Sequence, residues 1–546
     1  MKRFQSILLF VLLNLFLISC NQEKPSGTLY FNGVIYTVDG DFSKAEAMIV
    51  KNGTIVAIGK ETPLRKNNSV EREIDLQGKP VYPGFNDAHS HFNGYAQQLS
   101  RVDLRGVNSM EEMVAKMEEH QKNNPGQWIT GRGWDQSLWP GKEFPDNTLL
   151  NKSFPETPVL VRRVDGHAAY VNKKAFELAK ISPDSKIEGG FLEVKNGKLT
   201  GLILDNAVDL IEIAIPKLTR EEKSAALILA EKNLFEVGLT TVTDAGLDLE
   251  DIQILDSLQN KGVLKIKVYA MANPNQENFD FFEQEGSIKN ERLTVNSFKL
   301  YGDGALGSRG ACLLHPYSDK PQEIGFLLSS QDSLRKVAEK VFLLGFQLNT
   351  HCIGDSANRV MLNIYADFLN EGNDKRWRIE HCQVINPSDL NLMETFNIIP
   401  SVQPTHATSD MYWAKDRLGE NRLAGAYAYN TLIKTTGLIA AGSDFPVEEI
   451  NPLLGFASAV ERKDAQGFPD DGFLPKEKIT RIEALKAMTI WAAYAGFEDK
   501  NKGSLVEGKS ADFVVLEKDI MTAPEGEIRN TKVIMTFVNG EKVYGN

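Results

Sequence analysis

The sequence predicts an α/β fold: a (β/α)8 barrel joined to a small β-sandwich built from both chain ends and carrying an inserted subdomain. Three observations point there. Short β-like runs punctuated by Asn-Gly open and close the chain. Between them, apolar strand-like runs alternate with helical stretches, the pattern of a parallel sheet covered by helices. Finally, histidines and an aspartate recur at the ends of those runs, on the face where such barrels build their sites.

The first twenty residues stand apart. Lys2 and Arg3 precede an apolar run from Ile7 to Ile18, interrupted only by Asn14 and ending in Leu17-Ile18-Ser19-Cys20. The run is too short for a stable membrane span and reads as a cleavable secretory signal. Its ending resembles a bacterial lipobox, which implies that Cys20 becomes the lipidated first residue of an exported protein. Such a protein is held on the periplasmic or cell-surface side of a membrane, with residues 21–28 as a tether.

Residues 29–82 hold β-like runs at Leu29–Tyr30, Val34–Val38, Ala47–Val50, Ile55–Ile58 and into Val81, with hairpin chemistry at Asn32-Gly33 and Asn52-Gly53. A matching group lies in 500–546, at Asp512–Leu516, Val533–Val538 and Lys542–Tyr544, with Asn539-Gly540 as its turn. Neither end is large enough to be stable alone, so the two are expected to form one sandwich.

Residues 83–499 are expected to be the barrel. Its eight strands end at Pro83-Gly84-Phe85, Thr240–Thr243, Lys265–Ala270, Ser297–Tyr301, Gln347–Thr350, Trp377–Ile379, Ile398–Val402 and Gly437–Ala441. Helices are expected over Glu221–Val237, Ser333–Leu344 and Ile482–Ala495. The long gap at about 100–220 must hold an insertion, with a strand-like Pro158–Arg163 and tryptophans at 128, 134 and 139; a lid over the barrel mouth is the natural expectation.

Composition narrows the function classes. The 546 residues carry 61 basic and 73 acidic side chains, a formal charge of −12 that becomes two units more negative once Lys2 and Arg3 are removed. Such a body repels polyphosphate backbones, which argues against nucleic acid as a partner. Beyond Cys20 only Cys312, Cys352 and Cys382 remain, too few for a disulfide framework. The oligomeric state stays open, a homodimer among the alternatives.

His89-Ser90-His91 follows the first strand, and residues two apart in extended backbone point to the same side, so both imidazoles can reach one ion. A lone His-x-His carries little weight, and so does any single histidine at a strand end. Together with His351, His381 and Asp444, each at the end of its own strand, the set suits zinc or a similar divalent ion. Cys352 and Cys382 directly follow two of these histidines, but alternation turns them away, and small buried hydrophobes are the better reading.

These residues carry a family resemblance. Pro83-Gly84-Phe85 with His89-x-His91, Gly238-Leu239-Thr240-Thr241-Val242, His351, His381 and Gly442-Ser443-Asp444 resemble the amidohydrolase superfamily, as does the terminal Leu505–Val515 segment. Lys299-Leu300-Tyr301-Gly302-Asp303-Gly304-Ala305-Leu306-Gly307-Ser308-Arg309 is similar to the amidohydrolase family 3 branch that includes N-substituted formamide deformylase.

The resemblance implies two zinc ions, with His89, His91 and Asp444 on one, His351 and His381 on the other, and a carboxylated Lys299 bridging them. A one-metal site without the carbamate stays open, and Lys265 and Lys267 are rival lysines lacking the Asp-Gly-Ala continuation. The implied reaction is hydrolysis of a non-peptide carbon–nitrogen bond in a small amide-type substrate, N-formyl or N-acyl amine included. Asp444 is the expected catalytic proton carrier. A deaminase or ester hydrolase on the same site, or a surface binding protein without catalysis, are the alternatives.

His167, His406, Asp303 and Arg309 are candidate substrate contacts, each balanced by a loop-fixing alternative. Asp244 is a possible support for the ligands or a loop cap. The three tryptophans could line an aromatic pocket or simply pack the insertion. His120 and His315 lack any motif and read as surface residues.

Overall fold

The computed structural model describes residues 26–99, 101–123, 128–136, 139–142, 144–163, 168–187, 190–307 and 309–545. The leader, Cys20 and His167 lie outside them. The described residues separate into two compact units, one drawn from 26–90, 234–246 and 265 onward, the other from 91–233 and 247–264.

All eight expected barrel strands form and lie side by side in chain order: Phe85–Ser90, Leu239–Leu247, Lys267–Ala272, Leu293–Tyr301, Gln347–Cys352, Arg378–His381, Ile399–Val402 and Ala440–Ala441. The first strand pairs parallel with the second, and the third through the eighth pair parallel in succession. The residues after the last strand return to the first, where the Asp444 N–H donates to the His89 carbonyl at 2.7 Å. Gly442 permits this approach, because a Cβ there would fall 2.3 Å from the His89 nitrogen. The result is a nearly closed (β/α)8 barrel.

Two boundaries move relative to the sequence reading. Pro80–Pro83 is not the start of the barrel but a strand of a separate six-stranded sheet, pairing antiparallel with Phe513–Leu516. Gly84 separates the two strands, and a Cβ there would lie 2.3 Å from Thr240 Oγ1. His89 therefore sits inside the first barrel strand rather than after it. The expected helix over 482–495 is broken into Arg481–Ala487 and Ile490–Ala495, because the Met488 carbonyl leaves the helix to accept the Asn86 N–H at 2.9 Å.

The chain ends build two sheets around one core. A four-stranded sheet runs in the order Thr54–Gly59, Ala47–Lys51, Ser26–Phe31, Ser69–Asp75; its third member begins inside the segment read as tether. The six-stranded sheet runs Glu541–Tyr544, Val533–Val538, Phe513–Leu516, Pro80–Pro83, Val34–Tyr36, Lys44–Ala45. Tyr30, Met48, Val81, Phe513 and Phe537 belong to one buried cluster drawn from both sheets. Asn52-Gly53 and Asn539-Gly540 adopt the paired positive φ of tight hairpins. Asn32-Gly33 does not: only Asn32 is left-handed, and the turn passes the chain from one sheet to the other.

In the second unit, a six-stranded sheet runs Gly190–Lys195, Lys198–Asp205, Ala168–Val171, Val159–Arg163, Ile129–Trp134, Val102–Asp103. Trp134 and Trp139 are buried in one core cluster of this unit, and Trp128 packs against another. Their indole surface thus goes into packing. Among the described residues, no helix is long and apolar enough to cross a membrane.

Candidate metal centre

His89 is fully buried. Its Nδ1 meets the Glu380 carboxylate, while Nε2 lies 3.0 Å from Lys299 Nζ and 3.5 Å from Asp444 Oδ1. A carboxylate on Nδ1 holds the proton there and leaves the Nε2 lone pair facing the lysine and the aspartate. His91 lies just beyond the strand end, and ligand atoms of His89, His91 and Asp444 all fall within 4.8 Å of one another.

The other two histidines join this group. Ring centroids of His381 lie 4.9 Å from His89 and 4.4 Å from His351. Strict alternation would put His381 on the face of Ile379, opposite Arg378 and Glu380. Instead, φ values of +69° at His381 and +44° at Cys382 end the strand and turn the ring toward its partners. Asp444 is likewise left-handed, at φ +64°. Non-glycine residues held in this region cluster at functional sites, where the surroundings sustain the strain.

The electrostatics suit a cation. Burial, reinforced by the nearby Lys299 charge, pushes His89 down to about 4; the same causes, with His89 added, push His351 down to about 3. Burial and His351 hold His381 well below the usual imidazole range. All three imidazoles are neutral at pH 7. Among the described residues, buried His351 Nε2 and His381 Nδ1 have no hydrogen-bond partner, an expensive arrangement for polar atoms unless something else engages them. Neutral imidazoles with open nitrogens beside a carboxylate are a donor set for a divalent ion.

Lys299, on the fourth barrel strand, is also fully buried, and burial pushes its amine down to about 8. Its Nζ stands 5.1 Å over the Tyr301 ring. The rival lysines point elsewhere. Lys267 pairs with Asp512 at 2.6 Å and Asn539 at 2.7 Å in the sandwich, and Lys265 pairs with Glu541.

The structure sorts the remaining candidates. His406, on the helix Pro404–Asp410, stacks on His381 with centroids 5.9 Å apart and places Nε2 3.8 Å from Asp444 Oδ2. Asp303 is buried and accepts the N–H groups of Cys312, Ile353 and Gly354 at 2.8–2.9 Å. It thereby ties the loop after Lys299 to the segment after His351. Arg309 pairs with Asp319 at 2.7 Å. Cys352 and Cys382 are buried, and burial pushes the Cys382 thiol up to about 12, so neither behaves as a thiolate ligand. Asp244 is buried in the second barrel strand, opposite Ser90; His315 is exposed and His120 partly buried.

Three residues at the site went unread in the sequence. Asp87 accepts the Ser443 hydroxyl at 2.6 Å and the His89 N–H at 3.1 Å, holding the first strand against the loop that carries Asp444. Arg378 and Glu380 are both fully buried and paired at 2.6 Å. The signal was present: charged residues two apart on a strand that must be buried on both faces need an internal partner.

Comparison with known proteins agrees with this geometry. A model of the amidohydrolase family matches residues 72–544. The chain is 31% identical over 533 residues to the putative amidohydrolase YtcJ of Bacillus subtilis (strain 168), covering 94% of this chain and 99% of that protein. It is 25% identical over 535 residues to N-substituted formamide deformylase of Arthrobacter pascens, covering 94% and 97% respectively. Among solved structures, a metal-dependent hydrolase from Pyrococcus horikoshii OT3 superposes with a TM-score of 0.78 at 28% identity, covering 91% of this chain and 99% of that one. With the barrel, the strand-end ligand set and a family match spanning most of its length, this chain belongs to the amidohydrolase family and is a metal-dependent hydrolase.

Proposed function

We propose that the protein hydrolyses a non-peptide carbon–nitrogen bond of a small amide-type substrate, an N-formyl or N-acyl amine. In this reading His89, His91, His351, His381 and Asp444 would hold two zinc ions, with a carboxylated Lys299 as a further oxygen donor. The observation that carries the reaction is the placement of the Asp444 carboxylate between imidazoles, 3.5 Å from His89 Nε2 and 3.8 Å from His406 Nε2. The bond type is supported by the relative named N-substituted formamide deformylase.

Bound zinc supplies a water of lowered pKa and a Lewis acid for the substrate carbonyl. The protein's own groups do the rest. Asp444 takes a proton from the attacking water and delivers it to the departing nitrogen, which must leave as an amine. His406, stacked on His381 with its Nε2 directed at Asp444, offers a hydrogen bond to the substrate beside that carboxylate. Lys299 suits carboxylation because burial favours its neutral amine, the form that reacts with carbon dioxide.

The test is a substrate panel of N-formyl amines, N-acyl amino acids, cyclic amides, amino-substituted heterocycles and esters, run on zinc-loaded protein with and without chelator. Chelator-sensitive amide hydrolysis is expected. Turnover of the heterocycles or esters alone would replace this reading with a deaminase or an esterase, and no turnover with no bound metal would leave a binding protein.

A further inference from the structure

We propose that Arg378 and Glu380 are positioning residues that lock the tautomer and ring orientation of His89, so that its Nε2 is the atom presented to a cation. The proposal rests on the reading of His89 as a metal ligand. The geometry has three parts. Glu380 Oε2 sits against His89 Nδ1, and both side chains are fully buried. Arg378 donates Nη2 to Oε2 of that carboxylate at 3.1 Å and sets its Nε in ion-pair contact, 2.6 Å from Oε1. The same Nη2 reaches the Ala88 carbonyl at 2.5 Å and Ser401 Oγ at 3.0 Å. One guanidinium thus braces the carboxylate that holds the ring and the backbone immediately before the ring, reaching from the sixth barrel strand to the first and the seventh.

Stability alone does not account for such a pair. Removing two charges from water is costly, and well-packed apolar residues of similar volume serve a core as well or better. What this pair provides is direction. An anionic acceptor on Nδ1 fixes the proton there, keeps Nε2 as a lone pair and raises its basicity as a ligand. No apolar replacement does this. The spacing of Arg378 and Glu380, two residues apart on one strand, puts both on the inner face under the site, one residue before the ligand His381.

Zinc affinity, measured by competition against a chromogenic chelator, separates positioning from packing. Glu380→Gln keeps the shape and removes the charge. The double variant R378M/E380Q removes both charges and avoids stranding the guanidinium, so one folded variant remains if the single change does not fold. Lys267→Met, which breaks a buried pair away from the site, is the control for general destabilisation. Expected is a 10–100-fold loss of zinc affinity in the Glu380 variants and wild-type affinity in the control. Wild-type zinc affinity in either folded Glu380 variant overturns the proposal. A wild-type protein that binds no zinc overturns the ligand reading of His89 and this inference with it.

Discussion

Asp444 combines a left-handed backbone, a backbone bond to the His89 carbonyl and a carboxylate facing two imidazoles. Asp444→Asn keeps the shape and removes the proton acceptor. The expected outcome is a drop in kcat of about 10²–10⁴-fold, with thermal unfolding of the metal-free protein essentially unchanged. Lys299 gives a second expectation, with a definite sign. Its amine is pushed down to about 8, below the ordinary lysine value, so the neutral form gains population as pH rises through that point. A ¹³C-bicarbonate NMR titration should therefore show a carbamate signal that grows from pH 7 to 9 and is absent in Lys299→Ala. No signal in the wild type at any pH would leave a site without the carbamate bridge. At this scale the gathering of His89, His91, His351, His381 and Asp444 in one place was legible in the sequence because each lies at or near the end of a strand-like run. Arg378 and Glu380, charged on a strand buried on both faces, announce an internal partner, but the contact of Glu380 with His89 is made across the barrel, which local pattern does not encode.

Among the elements, the barrel strands were readable because apolar runs buried on both faces need no alternation. The break in the helix over 482–495 was not. Ala487-Met488-Thr489 contains neither Pro nor Gly; the Asn86 N–H donates to the Met488 carbonyl and the Thr489 hydroxyl to that of Leu485 where the helix breaks. The first barrel strand was misplaced for a related reason: Pro83-Gly84-Phe85 joins two strands belonging to different sheets, and no local signal separates a strand end from such a junction. The link from barrel to sandwich is also specific. Lys267, 3% exposed, and Asp512, 4% exposed, join the third barrel strand to the Phe513 strand. Lys267→Met strands a buried carboxylate, and denaturant titration should register a loss of about 3–5 kcal/mol. A loss under 1 kcal/mol would mean that the pair is neither dry nor structural.

For the molecule as a whole, both chain ends meet in one sandwich core, and the strand Ser26–Phe31 begins only a few residues after Cys20. We propose that lipid on Cys20 holds the exported protein at a membrane. Cys20→Ala should move it from the membrane fraction to the soluble fraction, while a protein that fractionates as the wild type does would remove the anchor. Metal acts at the same scale, since an ion that binds only the folded chain stabilises it by mass action. Zinc at a thousandfold over its dissociation constant should add about 4 kcal/mol, lost on chelation.

The most direct test of the central claim is an anomalous-difference map at the zinc edge from crystals grown with zinc. The account predicts density within coordination distance of His89, His91 and Asp444, with a second peak near His351 and His381 if Lys299 is carboxylated. An occupied zinc site elsewhere, with none among these residues, would contradict it.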